Sequence, residues 1–135
     1  MEVSRKGVPS LGDSDNLDIK RACIFCKIVA GEIPCDKVFE NEDFIVIKDA
    51  NPKVEGHSLV ISKKHYETFL DMPSGLYEKF LSSVKDAVDK LGVKNFNLVL
   101  NNGEVAGQLV SHLHLHILPR KKGDTPVEGN HLTLV

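Results

Sequence analysis

The chain has 135 residues and a mass of 14.9 kDa, a length that suits one domain built around a single hydrophobic core. Its 17 basic and 19 acidic residues leave a formal charge of −2, so no global positive field is available to hold a nucleic-acid backbone or an anionic membrane surface. The longest apolar runs, such as Phe44 to Ile47, are far too short to span a bilayer, and the start Met1-Glu2-Val3-Ser4-Arg5-Lys6 lacks an apolar signal core. A cytoplasmic protein acting on small molecules is the expectation.

Residues 1–20 carry Gly7, Pro9, Ser10, Gly12, Asp13, Ser14 and Asp15 with little apolar periodicity and read as a flexible arm. Cys23 to Ala30 is amphipathic and ends at Gly31, which predicts a short helix. Phe39 to Lys48 and Ser58 to Ser62 are β-rich, separated by the turn residues Asp49-Ala50-Asn51-Pro52-Lys53 and by Gly56. Leu76, Phe80, Val84, Ala87, Val88 and Leu91 follow helical spacing, so a long helix is predicted from Pro73-Ser74 to Leu91, stopped by Gly92. Phe96 to Leu100 is the next strand, Asn101-Asn102-Gly103 its turn, and His112 to Pro119 the last strand. Residues 125–135 form a tail, in which His131 reads as a solvated surface residue. Strands, a helix and strands again, with short connections, indicate α+β: a mostly antiparallel sheet with its long helix on one face.

Three of the six histidines, His112, His114 and His116, alternate with Leu113, Leu115 and Ile117. In a strand this puts the imidazoles on one face at intervals of about 7 Å. Such a row suits either a metal centre or a nucleophile flanked by proton donors. The preceding loop, Asn101 to Gln108, holds Gly103 and Gly107, where backbone N–H groups can approach a phosphate closely, and this favours phosphoryl chemistry. Judged alone, the loop is equally an ordinary hairpin turn. The three cysteines include Cys23-Ile24-Phe25-Cys26, which in a reducing compartment suggests metal or redox chemistry before a disulfide.

The loop and the histidine row together closely resemble the signature of the histidine triad superfamily of nucleotide hydrolases and transferases. Cys23 to Ile28, Gly31-Glu32-Ile33-Pro34, Gly56 to Ile61 and Lys63-Lys64-His65 resemble that family in the same order, so the domain is placed at residues 21–124. The resemblance implies a five-stranded sheet with one long and one short helix per subunit, and a homodimer in which two sheets join. It also implies cleavage at the α-phosphate of an adenosine nucleotide through a nucleotidyl intermediate on His114, with His116 and His112 flanking it and His57 in support. Gln108 and the N–H groups around Gly107 would stabilise the phosphate oxygens. Asp49 and Ala50 would hold the ribose, Asn101 would lie near the phosphate, and Ile24, Phe25 and Ile28 would lie against the base. Asp49 reads equally as a turn residue.

Leu109 departs from the phosphoramidate-cleaving branch, where a serine assists the leaving amine. Lys121 and Lys122 resemble the dinucleoside polyphosphate branch, or are simply a solvated charge pair. Both substrate classes stay open. In zinc-bearing relatives Cys23 and Cys26 are joined by the equivalents of His65 and His112, a structural site that activates no water; buried thiols are the alternative. Cys35 is assigned no role. A nucleotide-binding regulator with weak turnover is the rival from another class.

Overall fold

The computed structural model describes residues 16–124. Along the chain run α1 (Leu17–Ala22), α2 (Ile24–Val29), β1 (Lys37–Glu40), β2 (Phe44–Lys48), β3 (Ser58–Ser62), α3 (Tyr77–Leu91), β4 (Phe96–Val99) and β5 (His114–Pro119). The strands form one sheet in the order β1-β2-β3-β5-β4, and every neighbouring pair is antiparallel.

Alternation sorts the strand side chains onto two buried faces. Phe44 and Val46 of β2, Val60 of β3, and Leu115 and Ile117 of β5 pack with Phe80, Val84 and Ala87 of α3. On the opposite face Ile45, Ile47, Leu59 and Ile61 pack with Phe25 of α2. Register sets Ile61 opposite His114 and Leu59 opposite His116, so the histidines lie on the α2 side, under cover. The fold is α+β, as the element pattern predicts.

Several boundaries differ from expectation. The β-rich run Phe39 to Lys48 is a hairpin, because Asn41 Oδ1 accepts from the N–H groups of Asp43 and Phe44 and turns the chain. The end of the expected arm begins α1, which runs on to Ala22 and is capped by Asn16, whose Oδ1 accepts from the N–H groups of Asp18 and Ile19. There are therefore two short helices, not one. A 3₁₀ turn at Ser74–Leu76 precedes α3. His112 lies just before β5, where its N–H bonds Val110 O while Leu113 bonds the Tyr66 carbonyl. Residues 1–15 and the tail 125–135 with His131 lie outside the described residues.

The two sheet edges differ. β1 carries an irregularity between Lys37 and Phe39, and its Glu40 pairs with Lys37 and Lys63, each at 2.6 Å. β4 leaves Phe96 and Leu98 exposed. No helix among the described residues is long and apolar enough to cross a membrane.

Candidate functional site

The three clustered histidines are almost fully buried, with His112 and His116 at 0% and His114 at 2% exposure. Their hydrogen bonds decide which nitrogen carries each proton. His114 Nδ1 lies 2.6 Å from the His112 carbonyl; a carbonyl only accepts, so Nδ1 carries the proton and Nε2 keeps its lone pair. The N–H of Lys53 donates to His57 Nδ1 at 3.1 Å, which leaves the His57 proton on Nε2. From there it points at His116 Nδ1, 2.9 Å away. His116 must then carry its proton on Nε2, an atom that is buried and has no hydrogen-bond partner.

The result is an imidazole lone pair beside an imidazole N–H donor, in rings whose centroids are 5.0 Å apart. The edge contact with Phe25, 4.9 Å between centroids, fixes the His114 ring. Burial, followed by repulsion from His114 and His57, pushes the His116 pKa down from 6.5 to about 3. Burial also lowers His57, against the pull of Asp49. Both imidazoles are thus kept neutral near pH 7. Gly56 helps to place His57: its φ is +85°, and a Cβ there would stand 3.2 Å from Pro119 Cγ.

Cys23, Cys26, His65 and His112 form a second constellation, their ligand atoms all within 4.8 Å of one another. His112 Nε2 is 2.6 Å from the Ser62 carbonyl, so Nδ1 is the nitrogen that faces Cys23 Sγ at 3.2 Å. His65 Nδ1 faces Cys26 Sγ at 3.1 Å. Burial resists ionisation of Cys23, but hydrogen bonds with His112, His65 and the Cys26 N–H outweigh it and bring the thiol down from 9.0 to about 5. A ready thiolate in a two-sulfur, two-nitrogen set fits a tetrahedral metal ion. Asp49, His57 and His116 also converge, but there the Lys53 N–H occupies His57 Nδ1 and forces the proton onto the nitrogen that would have to bind a metal. That cluster is a hydrogen-bond chain.

Of the residues expected to hold a nucleotide, Ile24, Phe25, Ile28, Asp49 and Ala50 line one cavity of about 560 Å³. Cys35, given no role from sequence, and Val110 are also in its wall. Asp49 uses Oδ1 to accept from Asn51 N at 2.9 Å and turns Oδ2 toward His57 at 3.4 Å, so it serves the turn as well as facing the site. Asn101, Gly107, Gln108 and Leu109 lie outside that wall. The Gln108 amide is spent on backbone: Oε1 accepts from Gly103 N, and Nε2 donates to Glu67 O and Val110 O. It braces the glycine loop and has no polar atom to spare for a phosphate. Lys121 pairs with Glu55 and Arg120 with Asp124, around a second cavity that includes Lys53 and shares Lys48 with the first.

The HIT domain matches residues 30–123 of this sequence. The chain belongs to the HIT family. The adenylylsulfatase HINT3 of Arabidopsis thaliana is 41% identical over 130 residues, covering 92% of this chain and 66% of that protein. The adenosine 5′-monophosphoramidase hnt1 of Schizosaccharomyces pombe is 39% identical over 99 residues, 73% of this HIT protein and 74% of its own length. Among solved structures, a Zn-bound histidine triad family protein from Mycobacterium smegmatis superimposes with a TM-score of 0.70 at 34% identity, covering 80% of this chain and 81% of that one.

Proposed function

We propose that this HIT protein hydrolyses adenosine nucleotides at the α-phosphate through a covalent adduct on His114. The observation that carries the proposal is the tautomer chain. Lys53 N–H, His57 and His116 in series leave His116 Nε2–H as a buried donor with no partner, and the His112 carbonyl leaves the His114 lone pair on Nε2. A buried polar atom without a partner calls for one, and a non-bridging phosphate oxygen fits. The His114 lone pair forms a bond to the α-phosphorus, and the bond to the leaving group breaks with its electron pair. Water then attacks the phosphorus and gives its proton to solvent, and the pair of the broken P–N bond returns to His114 Nε2. A neutral imidazole divides one hard displacement into two easier ones. A positioned donor such as His116 Nε2–H is worth about 3 kcal/mol of barrier.

Ile24, Phe25 and Ile28 flank the base, Asp49 and Ala50 the ribose, and Asn101 the phosphate; the N–H groups of Ala106, Gly107 and Gln108, expected to reach it, instead close the loop onto the Gly103 and Glu104 carbonyls. The two named relatives act on an adenosine phosphoramidate and an adenylyl sulfate, which supports adenosine as the common part. Cys23, Cys26, His65 and His112 would hold zinc; when bound, the ion supplies a cross-link between α2 and the residues before β5. The apolar edge of β4 supports a homodimer. The described cysteines form no disulfide, which suits the reducing cytoplasm.

Alkaline quench of a reaction with adenosine 5′-phosphoramidate, followed by intact-mass analysis, should show an adenylyl adduct that is missing in His114→Ala, while that variant still binds AMP. Turnover above a few per cent of wild type in His114→Ala would defeat the covalent route. AMP binding with no adduct and no turnover in the wild type would identify a nucleotide-binding regulator instead.

A further inference from the structure

The cavity beyond Lys48 has a volume of about 580 Å³, within the range of small-molecule sites. The turn between β2 and β3 forms one of its walls, and the end of α3 with the residues that close β5 forms the other. None of the clustered histidines and no residue of the metal cluster lines it. Val54, Leu91, Val93 and Pro119 make its lining apolar, while Lys48, Lys53, Arg120 and Lys121 stand against only Glu55 and Asp124. Asp124 holds Arg120, and Glu55 lies 3.3 Å from Lys121. The ammonium groups of Lys48 and Lys53 have no carboxylate partner among the described residues. Two unneutralised cations beside a hydrocarbon lining suit an anion that carries an apolar body: the head pairs with the lysines, and the body removes the lining from water.

The same turn reaches the histidines from behind. The Lys53 N–H donates to His57 Nδ1 at 3.1 Å, the His57 N–H bonds the Val54 carbonyl, and a Cβ at Gly56 would stand 3.2 Å from Pro119 Cγ. Lys53, Val54 and Gly56 therefore separate the cavity from His57. We propose that this cavity is a second small-molecule site, for an anion with a compact hydrocarbon body, and that its occupant braces the turn that positions His57. A molecule held by Lys53 on one wall and by Leu91, Val93 and Pro119 on the other ties the turn to the body of the domain. It favours the arrangement in which the Lys53 N–H reaches His57 and is bound more tightly by that arrangement in return.

Hexanoate and hexyl phosphate probe the site with a carboxylate and a phosphate head, and hexanol is the uncharged control. With adenosine present to fill the nucleoside cavity, either anion should give saturable NMR shifts of the Lys53, Val54 and Gly56 amides and of the His57 ring nitrogens. Hexanol should bind about threefold more weakly or worse, and the tighter anion identifies the head group. Lys53→Gln, which keeps the backbone N–H, should weaken both anions about threefold. Val93→Glu, which sets a carboxylate in the wall, should weaken them further, and His114→Ala should bind them as the wild type does. Saturating hexanoate should raise kcat for adenosine 5′-phosphoramidate by about twofold with KM moved less, since a turn already formed leaves little population to recover; this readout rests on the covalent route through His114. Absence of saturable shifts, an equal response to hexanol, or full affinity in a folded Val93→Glu variant would overturn the site. Shifts that stop short of His57, with kcat unchanged, would overturn the bracing. A wild type without turnover would instead remove the covalent route, and the shifts alone would then decide both the site and the bracing.

Discussion

His116 is kept neutral in two ways: burial drives its pKa down to about 3, and the His57 Nε2–H occupies its Nδ1. The same arrangement ties stability to pH. Above about 6.5 both folded and unfolded forms hold this imidazole neutral, and its contribution is fully present. As pH falls from 6.5 toward 3 the unfolded chain takes up a proton that the folded chain refuses, and stability is lost across that window. The melting temperature should therefore drop between pH 6.5 and 4, and His116→Gln should flatten that slope; equal slopes would show that His116 is solvated in solution. Gln108 teaches a different lesson at this scale. Its residue type and its place beside the histidines suggest a phosphate ligand, yet all three hydrogen bonds of its side chain go to backbone, and only the folded path of Glu67 and Gly103 reveals it as a brace.

Helix α2 has six residues, too few to persist without tertiary support. Its N-cap is Cys23, whose Sγ accepts from the Cys26 N–H at 3.3 Å and belongs to the metal cluster, so the same atom serves the helix and the ion. Protein prepared without added metal should carry about one zinc per chain and lose it in the Cys23→Ser, Cys26→Ser double variant. Chelation should lower the melting temperature, while turnover persists at temperatures where the metal-free form stays folded; loss of turnover in folded, metal-free protein would contradict a structural ion. Legibility from sequence followed periodicity. The α3 helix was readable because one apolar stripe marks its core face and Gly92 its end. The β1–β2 hairpin was not, since Asn41 interrupts an otherwise continuous β-rich run by side-chain capping alone. Nor was α1, which buries no residue and so prints no apolar pattern. The alternation of His112, His114 and His116 located the site but concealed that His112 leaves the strand and turns to the cysteines, a choice made by Ser62 on β3.

At the open side of the sheet β4 presents Leu98 at 46% exposure together with Phe96, and among the described residues no strand lies beside its outward backbone N–H and C=O groups. A second copy placed antiparallel along this edge would cover both side chains and extend the ladder. Sedimentation at micromolar concentration should give a dimer for the wild type and a monomer for Leu98→Glu. A monomeric wild type would rule out this mode of assembly.

The opposite edge gives that association its limit. Along β1 the irregular register at Lys37 and the ion pairs of Glu40 with Lys37 and Lys63 put charge and a broken ladder where another strand would have to dock. A chain with two receptive margins can polymerise without end; one with a single receptive margin is saturated by its first neighbour. In such an assembly the acidic and basic side chains of β1 would act as a terminator that favours a discrete particle over a fibre.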